Sequence, residues 1–243
     1  RWGVKGAMSS RLAARDSVAI LGSLIGLVSL SLGWLSLRPN RIAPGASLTL
    51  WQSVHWLGAA VILALWLACL VLSVAGKGTR RAALLGVAAN LALIISFALT
   101  GLAASKLLES SAPSTRVSLG AGFWTTTVGA YIVILAARQR RLRSAPLLRN
   151  LVSWTGLAAI LALLFAGRLN DLAIVQEFLG RKQRFIQELV HHIVLVGASV
   201  AIGAALGILL GVWATRSRRA ERPIFYIANI SQTIPSLALF GFL

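Results

Sequence analysis

Long apolar runs alternate along this chain with short clusters of charge. Six runs are free of Asp, Glu, Lys and Arg: roughly 18–37, 54–75, 82–104, 117–137, 151–167 and 193–214. About 17 to 25 apolar residues in a helix are enough to cross some 30 Å of hydrocarbon. A seventh run begins near Ile224 and continues to Leu243. The pattern predicts an all-α fold, a polytopic membrane helical bundle of six spans plus the start of a seventh. The first run is too long for the core of a signal peptide and has no small-residue cleavage site after it, so it reads as a retained span.

The longest connection between spans, 168–192, has a pattern of its own. Leu172, Val175, Phe178 and Leu179 recur at helical spacing, Asn170 or Asp171 stands at the start, and Gly180 marks an end. A second set, Phe185, Ile186 and Leu189, leads into the sixth run. Two roles fit this connector: a helix lying at the headgroup level, or a platform for an external partner protein. The predicted organisation is a five-span region over 1–167, an external amphipathic connector over 168–192, and a further membrane region over 193–243.

Charge sets the orientation. The chain carries 24 Lys and Arg against 6 Asp and Glu, a formal net charge of +18. A soluble domain with that balance would be read as a nucleic-acid binder. Here 57% of residues are hydrophobic and the basic residues cluster between apolar runs, which points to a lipid bilayer and excludes nucleic acid as partner. Sixteen of the 24 fall on one set of alternate loops, around residues 1–15, 77–81, 138–149 and 216–222. The positive-inside rule then puts the N-terminus in the cytoplasm. Trp34, Trp51, Trp56, Trp124, Trp154 and Trp213 fall near the expected span ends, where an indole can bury its ring and keep its N–H wet.

Candidate chemistry is sparse. All six acidic residues lie in loops or at span ends, so no buried carboxylate pair is available for acid–base work or ion coupling. Cys69 is the single cysteine; His191 and His192 are adjacent and point about 100° apart on a helix. Neither forms a metal site, and no cofactor is expected. No G-x-x-x-x-G-K-[ST] loop occurs. The chain is therefore not expected to be an enzyme, and any ATP hydrolysis would be on a separate subunit.

Two patterns remain. Asn229, Gln232, Thr233 and Ser236 stand at i, i+3, i+4 and i+7, one face of a helix, and Pro235 would bend or loosen that helix. Such a stripe is tolerated at membrane depth where it faces protein or a water-filled path. Alternatively it is a wet cap on a span that begins near Thr233. Gly203, Gly207 and Gly211 recur every four residues, a face on which another helix, from this chain or a sister subunit, can approach closely. Gly22 and Gly26 make a weaker version.

The run "ANISQTIPSLALFGFL", Ala228 to Leu243, closely resembles the second core span of permease subunits in osmoprotectant ABC importers. "HHIVLVGASVAIGAALGILLGVWATRSRR", His191 to Arg219, is similar to the preceding core span and its basic turn. "RVSLGAGFW" at 116–124 and "GRLNDLAIVQEF" at 167–178 resemble the Yeh-type member, which carries extra N-terminal spans. The resemblance implies an inner-membrane permease subunit of a type I importer for glycine betaine, choline or proline betaine. Its partners would be a cytoplasmic ABC ATPase, a second permease subunit and an external solute-binding protein. Residues 193–243 would be the first part of the permease core, with Asn229, Gln232, Thr233 and Ser236 lining the translocation path and Pro235 as its bend. The family's cytoplasmic coupling loop, with its Glu-Ala-Ala pattern, would follow another span, so the chain is expected to be the N-terminal part of a longer permease. A membrane scaffold or regulatory subunit, or a secondary carrier, are the alternatives.

Overall fold

A computed structural model describes residues 16–75, 78–140 and 145–233, with side chains up to residue 230 except that of Arg140. The chain divides into two compact units at Gly180/Arg181. The first holds helices α1 (Ser17–Ser29), α2 (Leu50–Ser53), α3 (Trp56–Val74), α4 (Thr79–Glu109), α5 (Ala121–Arg140), α6 (Pro146–Phe165) and α7 (Ala173–Gly180). It also holds strands β1 (Gly33–Arg38), β2 (Ala46–Thr49) and β3 (Arg116–Leu119). The second unit holds α8 (Lys182–Arg216) and α9 (Arg218–Thr233). Among the described residues, five helices are long and apolar enough to cross a membrane: α3, α4, α5, α6 and α8.

Two expectations need correction. The run over 18–37 is not a single spanning helix. Its helix stops at Ser29 after 13 residues, about 20 Å at 1.5 Å per residue, and the chain continues as strand β1. Nor is the fold purely α, because β1 is the centre of a three-stranded antiparallel sheet ordered β2-β1-β3. The reason is backbone satisfaction. Ser36 lies opposite Ser47 on one side and Ser118 on the other, and Leu37 opposite Ala46 and Val117, so β1 finds partners on both edges. A charge-free run conceals this, since a strand buried on both faces reads like a helix segment.

The sheet caps one end of the helical bundle. There α1, α4 and α6 end while α3 and α5 begin; at the opposite end the backbone N–H of Asp16, before α1, donates to the Ser73 carbonyl near the end of α3. Arg80, Arg81, Arg138 and Arg149 all fall at that opposite end of their helices.

Close approach of α1 to α3 and α5 forms the centre of the bundle. A Cβ added to Gly26 would lie 2.2 Å from Trp66 Cδ2, so the indole of α3 lies directly on the α1 backbone. A Cβ on Gly129 of α5 would meet the Gly22 carbonyl at 2.9 Å and the Gly26 nitrogen at 3.0 Å. Without a hydrophobic drive between helices in lipid, such backbone proximity is what gains dispersion contact. Polar side chains lock the same layer. Ser29 and Thr126 share a hydroxyl–hydroxyl hydrogen bond between α1 and α5. Asn90 Nδ2 donates to the Gly86 carbonyl at 2.7 Å and the Val152 carbonyl at 2.9 Å, joining α4 to α6.

Trp34 departs from the interfacial role expected of it. It is fully buried on β1, edge-on to Phe123, and its indole N–H donates to Thr100 Oγ1 at 2.8 Å. Leaving that N–H buried and unpaired would cost about 1–3 kcal/mol, so Thr100 supplies what water would supply at an interface. Trp51, Trp56, Trp124, Trp154 and Trp213 are all about half exposed or more, as interfacial residues would be.

The Gly26 contact gives a direct test. Gly26→Ala is expected to destabilise the bundle by about 1–3 kcal/mol, read as a lower melting temperature in detergent. Gly197→Ala, at a position with nothing within 4 Å and off the 203/207/211 stripe, is the control that should stay within about 0.5 kcal/mol of the parent. Equal melting of Gly26→Ala and the parent would refute a tight α1–α3 seam.

Candidate functional site

The polar stripe falls on α9. Asn229 is exposed on that helix, whose backbone continues in helical form through Gln232 and Thr233. Three of the four stripe positions therefore share one uninterrupted helix, and at 100° per residue the i, i+3, i+4 spacing puts them on one face. The side chains of Gln232 and Thr233, together with Pro235 and Ser236, lie outside the described residues. A proline that sequence reading passed over sits inside α9 instead: Pro223, the sixth helical residue, cannot donate to the Arg219 carbonyl. Its signal was available, a proline directly after the basic cluster 216–222, but the start of α9 before it was not anticipated.

Ser217 joins α8 to α9, and its carbonyl accepts from the N–H groups of Ala220 and Glu221, while Glu221 supplies negative charge in the first turn. Ala214 and Ala220 are buried where the two helices meet. The turn carries Arg216, Arg218, Arg219 and Arg222, and the last three with Glu221 line one open polar pocket.

On α8, Gly203, Gly207 and Gly211 have no neighbouring atom within 4 Å of where a Cβ would stand, among the described residues. Large residues on every side of the same helix are exposed, including Leu195, Val200, Leu206, Leu209 and Val212. The small-residue face is thus open in this structure, whereas Gly22, Gly26 and Gly129 make the close contacts. His191 and His192 are exposed on α8, and His55 caps α3, its Nδ1 accepting from the Leu57 N–H. Among the described residues there is no group of three or more His, Cys, Asp or Glu placed to hold a metal ion.

A second polar cluster, which sequence reading did not assemble, lies at the sheet end of the bundle. After α6 the chain turns through Gly167 at φ +74°, with the Arg168 N–H donating to the Leu163 carbonyl and the Gly167 N–H to the Leu164 carbonyl, a glycine-requiring helix stop. The connector then passes so near α4 that a Cβ on Gly101 would stand 2.2 Å from the Arg168 carbonyl oxygen. One turn on, Ser105 Oγ donates to Asp171 Oδ2 at 2.5 Å, and Leu172 makes a parallel bridge with Val117 of β3. From α7, Glu177 accepts Arg41 at 2.7 Å and lies 3.7 Å from Arg116 Nε. These exposed pairs contribute little stability each, but they hold α7, the β1–β2 loop and β3 to one acidic residue. Leu172 and Val175 pack inward, while Ile174, Phe178 and Leu179 stay exposed.

Among the described residues no nucleophile–base pair and no metal-ligating group come together. What the arrangement offers is a packed, outwardly apolar bundle with a polar cap and, as a separate unit, a helical hairpin whose first helix is apolar and whose second carries the Arg-rich turn and the polar stripe. No solved structure matches the chain. Residues 14–175, which span α1 to the start of α7, match the family described as ABC transporter permease YehY, N-terminal domain. The match covers about two thirds of the sequence and the whole helix-and-sheet bundle apart from the rest of α7. The chain accordingly belongs to the ABC transporter permease YehY N-terminal domain family, as a multi-pass membrane component of an ABC transporter.

Proposed function

We propose that this chain belongs to a permease subunit that imports compatible solutes, glycine betaine or related quaternary ammonium osmolytes, at the expense of ATP hydrolysed on a separate subunit. The observation that carries the reading is the one-face polar stripe of α9, Asn229 with Gln232 and Thr233, which follows the apolar run 224–228 on an amphipathic helix. In hydrocarbon a polar stripe is stable only against protein or water, so the stripe and its continuation at Ser236 line or border the path, with Pro235 as the bend. Gly203, Gly207 and Gly211 of α8 then form the seam against which a further permease helix packs. The inner membrane is the compartment, and the region 1–167 is an N-terminal extension added to the transport core. A second reading, a scaffold that transports nothing, draws on the first unit having a packed core of its own.

Orientation is tested by labelling. Ala112→Cys, at the sheet end, is expected to react with an impermeant maleimide in intact cells, and Gln139→Cys, at the basic end, only after permeabilisation. Buried Cys69 gives little background. The opposite pattern would invert the proposed topology.

Purification of the full-length protein in mild detergent should recover an ABC ATPase and a second permease. Recovery of the protein alone, alongside intact control complexes, favours the scaffold. For the stripe, replacing Gln232 and Thr233 together with Leu is expected to lower betaine uptake at least about tenfold, the loss of roughly 1.4 kcal/mol of stabilisation, with assembly unchanged. Uptake equal to that of the parent removes the stripe from the path.

A further inference from the structure

On the lipid-facing side of the first unit, a groove of about 330 Å³ runs between α5 and α6 towards the basic end of the bundle. Its walls are apolar along most of its length, with Ile134 and Leu135 from α5 and Leu157 from α6. Arg138 stands at its mouth, and Tyr131 and Trp154 flank it, both exposed. Tyr131 and Arg138 are two turns apart on α5, so the groove extends about 10 Å along the helix axis from a cationic mouth into hydrocarbon.

The mouth is more basic than one arginine. One turn before Ser153, on the same face of α6, Arg149 has its Nε enclosed and without a hydrogen-bond partner among the described residues. The pocket lining holds no acidic residue to offset Arg138. A neutral or zwitterionic occupant would leave this positive charge unmatched. A narrow apolar channel opening on a cationic rim has the shape and polarity of one acyl chain below a phosphate.

We propose that the α5–α6 groove is a binding site for an anionic phospholipid, phosphatidylglycerol or cardiolipin, whose acyl chain lies against Ile134, Leu135 and Leu157. Arg138 and Arg149 pair with the phosphate, Trp154 stands at the glycerol level, where an amphipathic ring is stable, and Tyr131 borders the acyl chain at the deep end of the groove. Basic pockets between helices select anionic headgroups because each arginine gains Coulomb energy that a net-neutral headgroup does not return. The ligand is a lipid of the leaflet at the basic end, so the site does not depend on which solute the transporter carries.

The test uses purified full-length protein exchanged into bilayers of phosphatidylethanolamine with minor phosphatidylglycerol and cardiolipin, followed by native mass spectrometry of retained lipid. The parent is expected to retain anionic lipid above its bulk fraction. Arg138→Gln/Arg149→Gln is expected to lose that preference by about 30-fold, a factor of about 5 for each arginine at the membrane surface. Retention in proportion to bulk composition, or a preference unchanged in the double variant, overturns the proposal; the first result would follow if a helix of another subunit fills the groove. Should the double variant fail to assemble, Leu157→Trp decides, since it obstructs the channel and keeps both arginines. It is expected to retain less anionic lipid, and equal retention overturns the proposal.

Discussion

A strand beside hydrocarbon has to bring its hydrogen-bond partners with it, and β1 does so on both edges. Its pairing with β2 and β3 draws together the ends of four helices that are distant in sequence. With β1 fixed, Trp34 is carried inward onto Phe123 and Thr100, and the Trp34 carbonyl accepts the Gly120 N–H at the start of α5. The position of α5 against α1 follows, and with it the glycine seam that brings Trp66 onto Gly26. The connector depends on the same strand set, since Leu172 docks on β3 and Glu177 on Arg116 of that strand.

Much of this was readable in the residues, and what was not has physical causes. Helices α3 to α6 and α8 stand out because a charge-free run of spanning length, flanked by basic clusters, has few places to lie outside a bilayer. The short α1 was extended too far because Gly33 to Leu37 continues its apolar character unbroken, and hydropathy is blind to a change of backbone period when both faces become buried. Trp34 misled for a related reason: near a span end an indole is usually wet, and only the fold shows that Thr100 of another helix reaches its N–H. Gly22 and Gly26 were visible as a small-residue pair, but Gly129 and Trp66, the groups they receive, lie 40 or more residues away in sequence. For the stripe on α9, spacing was legible from sequence alone, because it needs only helical register. What the stripe faces is a tertiary fact, and register carries none.

The two units use hydrophobicity differently. In the first, apolar residues divide between a packed interior of small side chains and an outer surface of large ones, as helices surrounded by lipid require. In α8 the large residues cover the whole circumference and the glycines are left open, so this helix meets the demand for internal backbone hydrogen bonds without a packed interior. Local sequence makes the hairpin; the bundle needs residues from across 160 positions.

That difference bears on the order of events during synthesis. The β1–β2 edge is a local hairpin and closes as soon as Thr49 has emerged, whereas the β1–β3 edge waits for residues 116 to 119, some 80 positions after β1 itself. At elongation rates of about 5–20 residues per second, one side of β1 stays unpaired for roughly 4–16 s. Until β3 arrives, β1 carries one edge that its own chain has not yet paired, a template on which another strand can compete with β3.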